Sequence, residues 1–258
     1  MGSASREALA AAKAALGGKL DASTGAELLA ASAQIDDSQA LLAALSDSSI
    51  EAEAKAQLVE RLFGGLGAGA RAVLSAAVGQ AWSKPAELVD GIEELGLRAE
   101  AIAVPGLADE LLTAAGTIDS SHELELAIGN KLGDVQAKVA LVERLFAGKL
   151  STGAVNVVRH LVASPRGRRV SSALRESARV AADQGGSELA TVTVASPLNE
   201  AQQHRISSLL EKSAGRPVRV TTVVDPSLVG GVRIQIGDDV IDGSVRSRLD
   251  DLRLQLAG

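Results

Sequence analysis

The sequence has no cysteine and no tyrosine, and only one tryptophan, two phenylalanines and one methionine in 258 residues. Without cysteine there is no disulfide framework, no thiolate metal site and no cysteine nucleophile, and a reducing compartment suits such a chain. Phe63, Trp82 and Phe146 are its whole aromatic inventory, so it lacks the faces that stack bases or cage cations. Long uncharged runs are missing as well. The longest segment free of Asp, Glu, Lys and Arg runs from Ala72 to Ser83, short of the roughly 20 residues a bilayer core requires. The opening Met1-Gly2-Ser3-Ala4-Ser5-Arg6 has Arg6 where a myristoylation signal has Ser or Thr, and no signal-peptide apolar run follows. A membrane link is therefore expected to come through a partner. Positive charge is in deficit, 26 Lys and Arg against 32 Asp and Glu for a net −6. That weighs against nucleic acid as the main partner, because phosphate neutralisation needs a basic surface.

What is present is Ala, Leu and Val at helical spacing. As far as about residue 184 they recur every three and four positions, with Gly, Pro and Ser-Asp between the runs. The spacing predicts helices over 4–17, 22–34, 38–46, 50–64, 68–82, 85–103, 106–116, 120–130, 134–147, 151–163 and 167–184. An internal repeat runs through them. Ile35 to Phe63 aligns without gaps to Ile118 to Phe146, an offset of 83 (146 − 63 = 83), and Leu58-Val59-Glu60-Arg61-Leu62-Phe63 recurs as Leu141-Val142-Glu143-Arg144-Leu145-Phe146. In both copies an acid precedes a lysine by four residues, Glu51 before Lys55 and Asp134 before Lys138, the favourable order for an ion pair on an exposed face. Leu58/Leu62 and Val59/Phe63 are then expected on the core side. Glu60-Arg61 and Glu143-Arg144 read as a solvated face, since surface ion pairs are common and weak.

The pattern changes at Gly185-Gly186. Thr191 to Val194 alternates as a strand does. Asn199 with Gln202 has capping-box character and Gly215 is placed to end the helix they start. Val218, Val220 and Val224, then Val232, Ile234 and Ile236, mark two more strands, and Val240-Ile241 a short extension. Ser244 can cap a last helix with Val245, Leu249, Leu252 and Leu256 on its seam. The fold class is mainly α with a small α/β C-terminal domain. Its parts are an N-terminal helical bundle over 1–117, a second and partial copy of the helical unit over 118–184, and a β-α-β-β-α domain over 185–258.

The tail carries a recognisable signature. Asp225-Pro226-Ser227-Leu228-Val229-Gly230-Gly231, then Asp242-Gly243-Ser244 with Arg248-Leu249, closely resembles the C-terminal signature of the F-type ATP synthase delta subunit (OSCP) family. Ala195-Ser196-Pro197-Leu198-Asn199 is similar to that family too. The local reason for these residues is structural: Asp and Pro suit a turn, paired glycines open a strand, and Asp in a turn accepts amides. Such turn positions argue against reading Asp225 and Asp242 as a catalytic carboxylate pair.

The resemblance implies a non-catalytic stator connector with no cofactor and no nucleotide. It implies a helical bundle that binds the N-terminal segment of an alpha subunit and a C-terminal domain that engages the C-terminal helix of the b subunit. It also implies a place at the cytoplasmic face of the cell membrane, held there by the complex. A family member usually has one bundle, so which copy holds the alpha-subunit surface is left open by the repeat. The alternative is a free-standing helical scaffold or regulator that reuses the fold.

Other features are weighed against this. His122, His160 and His204 lie in no catalytic or metal-binding spacing and are expected at the surface. Gly64-Gly65-Leu66-Gly67-Ala68-Gly69 lacks the Lys-Ser/Thr of a phosphate loop and follows a helix, so an interhelical turn is expected. Arg159, Arg166, Arg168, Arg169, Arg175 and Arg179 form the sharpest local charge feature. They read either as a helix face with intrachain pairs or as a basic surface for an acidic partner.

Overall fold

The computed structural model describes residues 1–130, 133–225, 228, 230–236 and 239–243. The chain divides into two compact units, Met1–Ala181 and Ala182–Gly258, described separately below.

The first unit is helical throughout: α1 (Ser3–Lys13, prolonged by a 3₁₀ turn Ala14–Gly17), α2 (Thr24–Asp37), α3 (Gln39–Ser46), α4 (Ala52–Leu62), α5 (Ala68–Val78), α6 (Pro85–Ala103), α7 (Leu107–Asp119), α8 (His122–Gly129), α9 (Val135–Phe146), α10 (Thr152–Ala163) and α11 (Val170–Gln184). Each predicted helix is present, with ends within four residues. Side chains of Ser38, Ser121, Asp134 and Ser151 accept amides at the starts of α3, α8, α9 and α10. α5 stops short of the expected 82 because the chain turns at Gly79. Trp82 folds back there, its Nε1 donating to the Ala77 carbonyl at 2.9 Å.

Helix starts recur along the unit. α7 begins 83 residues after α2 (107 − 24 = 83), and the same offset links α8 to α3 and α9 to α4, while α10 begins 84 after α5 (152 − 68 = 84). Burial follows the offset. Gly69, Ala70, Val73, Leu74, Ala77 and Val78 are buried on α5, and their counterparts Gly153, Ala154, Val157, Val158, Leu161 and Val162 on α10. A long-range tie recurs too. Glu27, in the first turn of α2, accepts the Gly67 amide ahead of α5 at 2.8 Å. Glu110, in the first turn of α7, accepts the Ser151 amide ahead of α10 at 2.7 Å. Each carboxylate satisfies an amide at a helix start, where the helix dipole favours negative charge.

α1–α5 and one face of α6 enclose a core in which Leu28, Ile35, Val59, Phe63, Leu74, Leu88, Ile92 and Leu95 are fully or nearly fully buried. Two details of the repeat differ from the sequence reading. Lys55 is itself buried, on the same side as Val59 and Phe63 and not on an outer face, and desolvation lowers its pKa. Leu62 is 51% exposed, so the inward stripe is Lys55, Val59 and Phe63, one residue per turn, and Leu62 stands outside it. In the second copy Asp134 caps α9 and the Lys138 ammonium donates to the Asn130 carbonyl.

The second unit is a four-stranded sheet of order β2-β1-β3-β4, with β1 (Glu188–Val194), β2 (Val218–Val224), β3 (Val232–Ile236) and β4 (Asp239–Asp242). β1 and β2 run parallel, joined through α12 (Glu200–Ala214), since parallel neighbours need a crossover. β3 pairs antiparallel with β1 and β4 with β3. The expected capping box forms, with Asn199 and Gln202 bonding reciprocally at 2.9 Å. Gly215 ends α12 in the left-handed region. Ala190, Val192, Val194, Leu210 and Val218 are the buried centre, flanked by Ile206, Val232, Ile234 and Ile236. The expected last helix, with Ser244, Arg248 and Leu249, lies outside the described residues, as do Pro226, Ser227 and Val229.

Candidate functional site

Of the described signature residues, Asp225 and Leu228 follow the edge strand β2, Gly230 and Gly231 precede the inner strand β3, and Asp242 and Gly243 lie at the end of the other edge strand, β4. Asp225 follows β2, and its amide donates to the Val194 carbonyl at the end of β1, at 2.8 Å. The Leu228 amide returns to the Asp225 carbonyl at 3.1 Å, closing the turn. Gly231 has φ 87°, a conformation side chains disfavour, which accounts for glycine at the entry to β3. At the other edge Asp242 ends β4 opposite Arg233. The Gly243 amide donates to the Val232 carbonyl at 2.9 Å, and a Cβ at Gly243 would lie 3.1 Å from that oxygen. Asp225 and Asp242 thus belong to opposite edge strands with two strands between them, about 14 Å apart at the usual strand spacing. They cannot act as one acid–base pair.

The six basic residues are all engaged within the chain. Arg159 pairs with Glu143 at 2.9 Å, Arg166 with Asp36 at 3.3 Å and with Asp90, and Arg169 with Glu125 at 3.7 Å. Arg175 pairs with Asp119, and Arg179 with Glu176 at 2.6 Å. Arg168 grips Glu93 with two nitrogens at 2.7 and 3.0 Å. Arg166 and Arg168 turn toward α6, whereas Arg169 stays 82% exposed at its side chain.

Sequence reasoning missed the polar seam between α6 and α10. His160, expected at the surface, has a side chain only 7% exposed, its Nε2 donating to the Glu93 carboxylate at 2.9 Å. Burial opposes ionisation of Glu93, but the bonds from His160 and Arg168 outweigh it and hold its pKa at about 2. Two turns further along α6, Glu100 is also buried. Its pKa is raised by that burial, and a bond from Asn156 Nδ2 at 3.2 Å offsets it only in part. The available signal was spacing: Glu93 and Glu100 are seven residues apart on α6, and Asn156 and His160 four apart on α10, each pair on one helix face.

α2 lies over this seam. A Cβ on Gly25 would come within 2.4 Å of the Glu100 side chain, and one on Gly96 within 3.1 Å of Leu29 and 3.2 Å of the Gly25 carbonyl. Only paired glycines let the two backbones approach so closely. Beside it, Ala26, Leu29, Ala30 and Ala33 of α2 and Asn156 and His160 of α10 line one cleft. The Gly64–Gly69 turn offers no anion site, because Glu27 already occupies the Gly67 amide. Among the described residues no single helix is long and apolar enough to cross a membrane.

A sequence model of the family described as "ATP synthase delta (OSCP) subunit" matches residues 99–256. The match begins inside α6 and takes in α7–α11 and the sheet. Over 264 aligned residues the chain is 48% identical to ATP synthase subunit delta of Leifsonia xyli, covering 100% of both. It is 38% identical to that of Nocardia farcinica, covering 99% of this chain and 97% of the other. In structure it is similar, with TM-score 0.39 and 23% identity, to a chain of the Toxoplasma gondii mitochondrial ATP synthase hexamer, covering 63% of this chain and 97% of that one.

Proposed function

The chain belongs to the ATP synthase delta (OSCP) subunit family, a structural and non-catalytic subunit, and from that premise we propose that it is the stator connector of an F-type ATP synthase. It joins the N-terminal segment of an alpha subunit to the C-terminal helix of the b subunit at the cytoplasmic face of the membrane, and so resists rotor torque. The observation that supports this reading is α2 itself. Its seat against α6 and α10 is an instance of helix-in-groove packing by a Gly/Ala/Leu face, the mode by which a partner helix would dock. The C-terminal unit, with its signature turns at both edges, takes the b-subunit helix. Arg159 and Arg169, the more exposed of the basic residues, meet acidic side chains of a partner.

The recurring helix bounds, buried positions and carboxylate ties further support a duplicated helical unit. Its two copies share α6, so the break lies in that helix rather than at residue 117. The test is titration calorimetry of the full chain with two peptides from the same organism. One is the N-terminal segment of the alpha subunit, and the other is the C-terminal segment of the b subunit. Saturable one-to-one binding of both is expected. Binding of neither would reduce the reading to a statement of family and fold.

A further inference from the structure

One helix face recurs unchanged between the two helical sets although neither core uses it. α9 begins 83 residues after α4 (135 − 52 = 83). At that offset Ala54, Leu58, Arg61 and Leu62 of α4 recur as Ala137, Leu141, Arg144 and Leu145 of α9. At 100° per residue the four positions share one arc about 100° wide. The core lies on the adjoining arc, with Val59 and Phe63 buried on α4 and Val142 and Phe146 on α9. Leu62 is 51% and Leu141 37% exposed. Both alanines and both arginines are exposed as well, and Leu58 and Leu145 are half-buried. On α9 the cleft beside α2 takes Val135, Gln136 and Val139, which lie on the far side of the helix from this face.

Packing does not account for the recurrence. Exposed positions outside the face differ between the sets: Glu53 answers to Gln136 and Gln57 to Ala140. Glu60 and Glu143 do recur, and each has work within the chain, Glu60 pairing with Arg71 at 3.1 Å and Glu143 with Arg159 at 2.9 Å. Arg61 and Arg144 have none. Among the described residues neither guanidinium has a hydrogen-bond or ion-pair partner, whereas all six arginines of the basic cluster are engaged. Each face therefore presents two leucines one turn apart and an uncommitted arginine beside the second, the side chain most suited to gripping a carboxylate with two parallel bonds.

Resting on the repeat and the stator reading above, we propose that the outer faces of α4 and α9 are two copies of one docking surface, and that each takes the same acidic amphipathic helix from a subunit present at least twice in the assembly. Equal faces select equal occupants. The leucines call for an apolar seam at three- and four-residue spacing, and the arginine for a Glu or Asp on the flank of that seam. A basic flank would set like charges against each other. Each contact is small and so weak on its own. Two on one chain combine through effective concentration, which raises the overall hold by about a hundredfold or more without any new contact.

Because the sequence has no cysteine, Ala54→Cys and Ala137→Cys can each carry a photoactivatable crosslinker on one of the two faces, with Glu53→Cys and Gln136→Cys as controls on the neighbouring arc. Each full-length chain is labelled, rebound to a synthase stripped of its own delta subunit and irradiated, and the captured peptides are identified by mass spectrometry. Positions 54 and 137 are expected to capture the same segment of the same subunit, with helical apolar spacing and at least one Glu or Asp, and positions 53 and 136 are not. Arg61→Glu and Arg144→Glu, each combined with the crosslinker on its own helix, should abolish capture there while leaving the melting temperature of the isolated chain unchanged, because neither guanidinium has an intrachain partner to lose. Different segments at the two positions, a segment without carboxylates, or no capture at 54 and 137 overturns the paired docking faces and leaves the stator reading standing. A melting temperature lowered by both reversals makes the arginines structural and overturns the faces as well. Failure of the wild-type chain to rebind the stripped synthase overturns the stator reading and this proposal with it.

Discussion

Two glutamates on one helix face show how environment, more than residue type, sets the sign of a charge's contribution. Glu93 has His160 and Arg168 as partners, and its pKa is held at about 2, against an ordinary value of 4.5. A carboxylate with a depressed folded pKa adds stability that is full above its unfolded pKa and is lost as pH falls through its folded one. Its contribution should therefore persist at neutral pH and vanish between about pH 5 and pH 2. At 1.36 kcal/mol per pKa unit it is about 3 kcal/mol. Glu93→Gln should cost about that much at pH 7 by chemical denaturation, and little at pH 2. Glu100 runs the other way, because burial raises its pKa. Its favourable term is present at low pH and is lost as pH rises through the folded pKa. Glu100→Gln keeps the Asn156 bond without burying a charge, so it should be neutral at pH 4 and stabilising at pH 8. A loss of stability at pH 8 would mean that Glu100 has an ionic partner.

At the scale of elements, the ties Glu27–Gly67 and Glu110–Ser151 do the same work in the two helical sets. Each joins the first turn of one helix to the start of another forty or so residues away. Glu27→Ala and Glu110→Ala should each cost about 1–2 kcal/mol, the usual value of a lost cap or charged hydrogen bond, and hydrogen exchange should speed up first at the starts of α5 and α10 respectively. Unequal losses would mean that the two sets are not equivalent. This tie is invisible in the sequence, whereas the elements it joins are not. Alanine and leucine at helical spacing mark every helix of the first unit, and Asn199, Gln202 and Gly215 mark both ends of α12, because caps and periodicity are local. Burial of charge is not local. Lys55 and His160 read as outer-face residues, and no sequence feature singles out Glu93 or Glu100 as buried, because the sequence does not say that α2 will lie over α6, nor that Arg168 will reach Glu93 across 75 residues. Asp225 and Asp242 are legible as edge and turn residues, since a turn, unlike a buried pair, is written within a few residues.

At the scale of the molecule the central fact is that α6 serves two sets of helices. Leu88, Val89, Ile92, Leu95 and Ala99 complete the core formed by α1–α5, while Glu93 and Glu100 of the same helix reach α10. Five apolar side chains buried at about 1.5–3 kcal/mol for each of the larger ones amount to most of the net stability of a domain, which is about 5–15 kcal/mol. A fragment of residues 1–84 should therefore fail to fold, whereas 1–103 should unfold cooperatively on heating with a helical far-ultraviolet spectrum. The same logic divides the remainder. Residues 85–184 should fold and residues 104–184 should not, because α10 would keep His160 and Asn156 without the carboxylates that satisfy them. Cooperative unfolding of both 1–84 and 104–184 would show that each set has a core of its own and that α6 is only a connector. If instead α6 is required on both sides, the two helical sets form one folding unit, tied by α6 and by the seat of α2 against α6 and α10, and not two bundles joined by a loop.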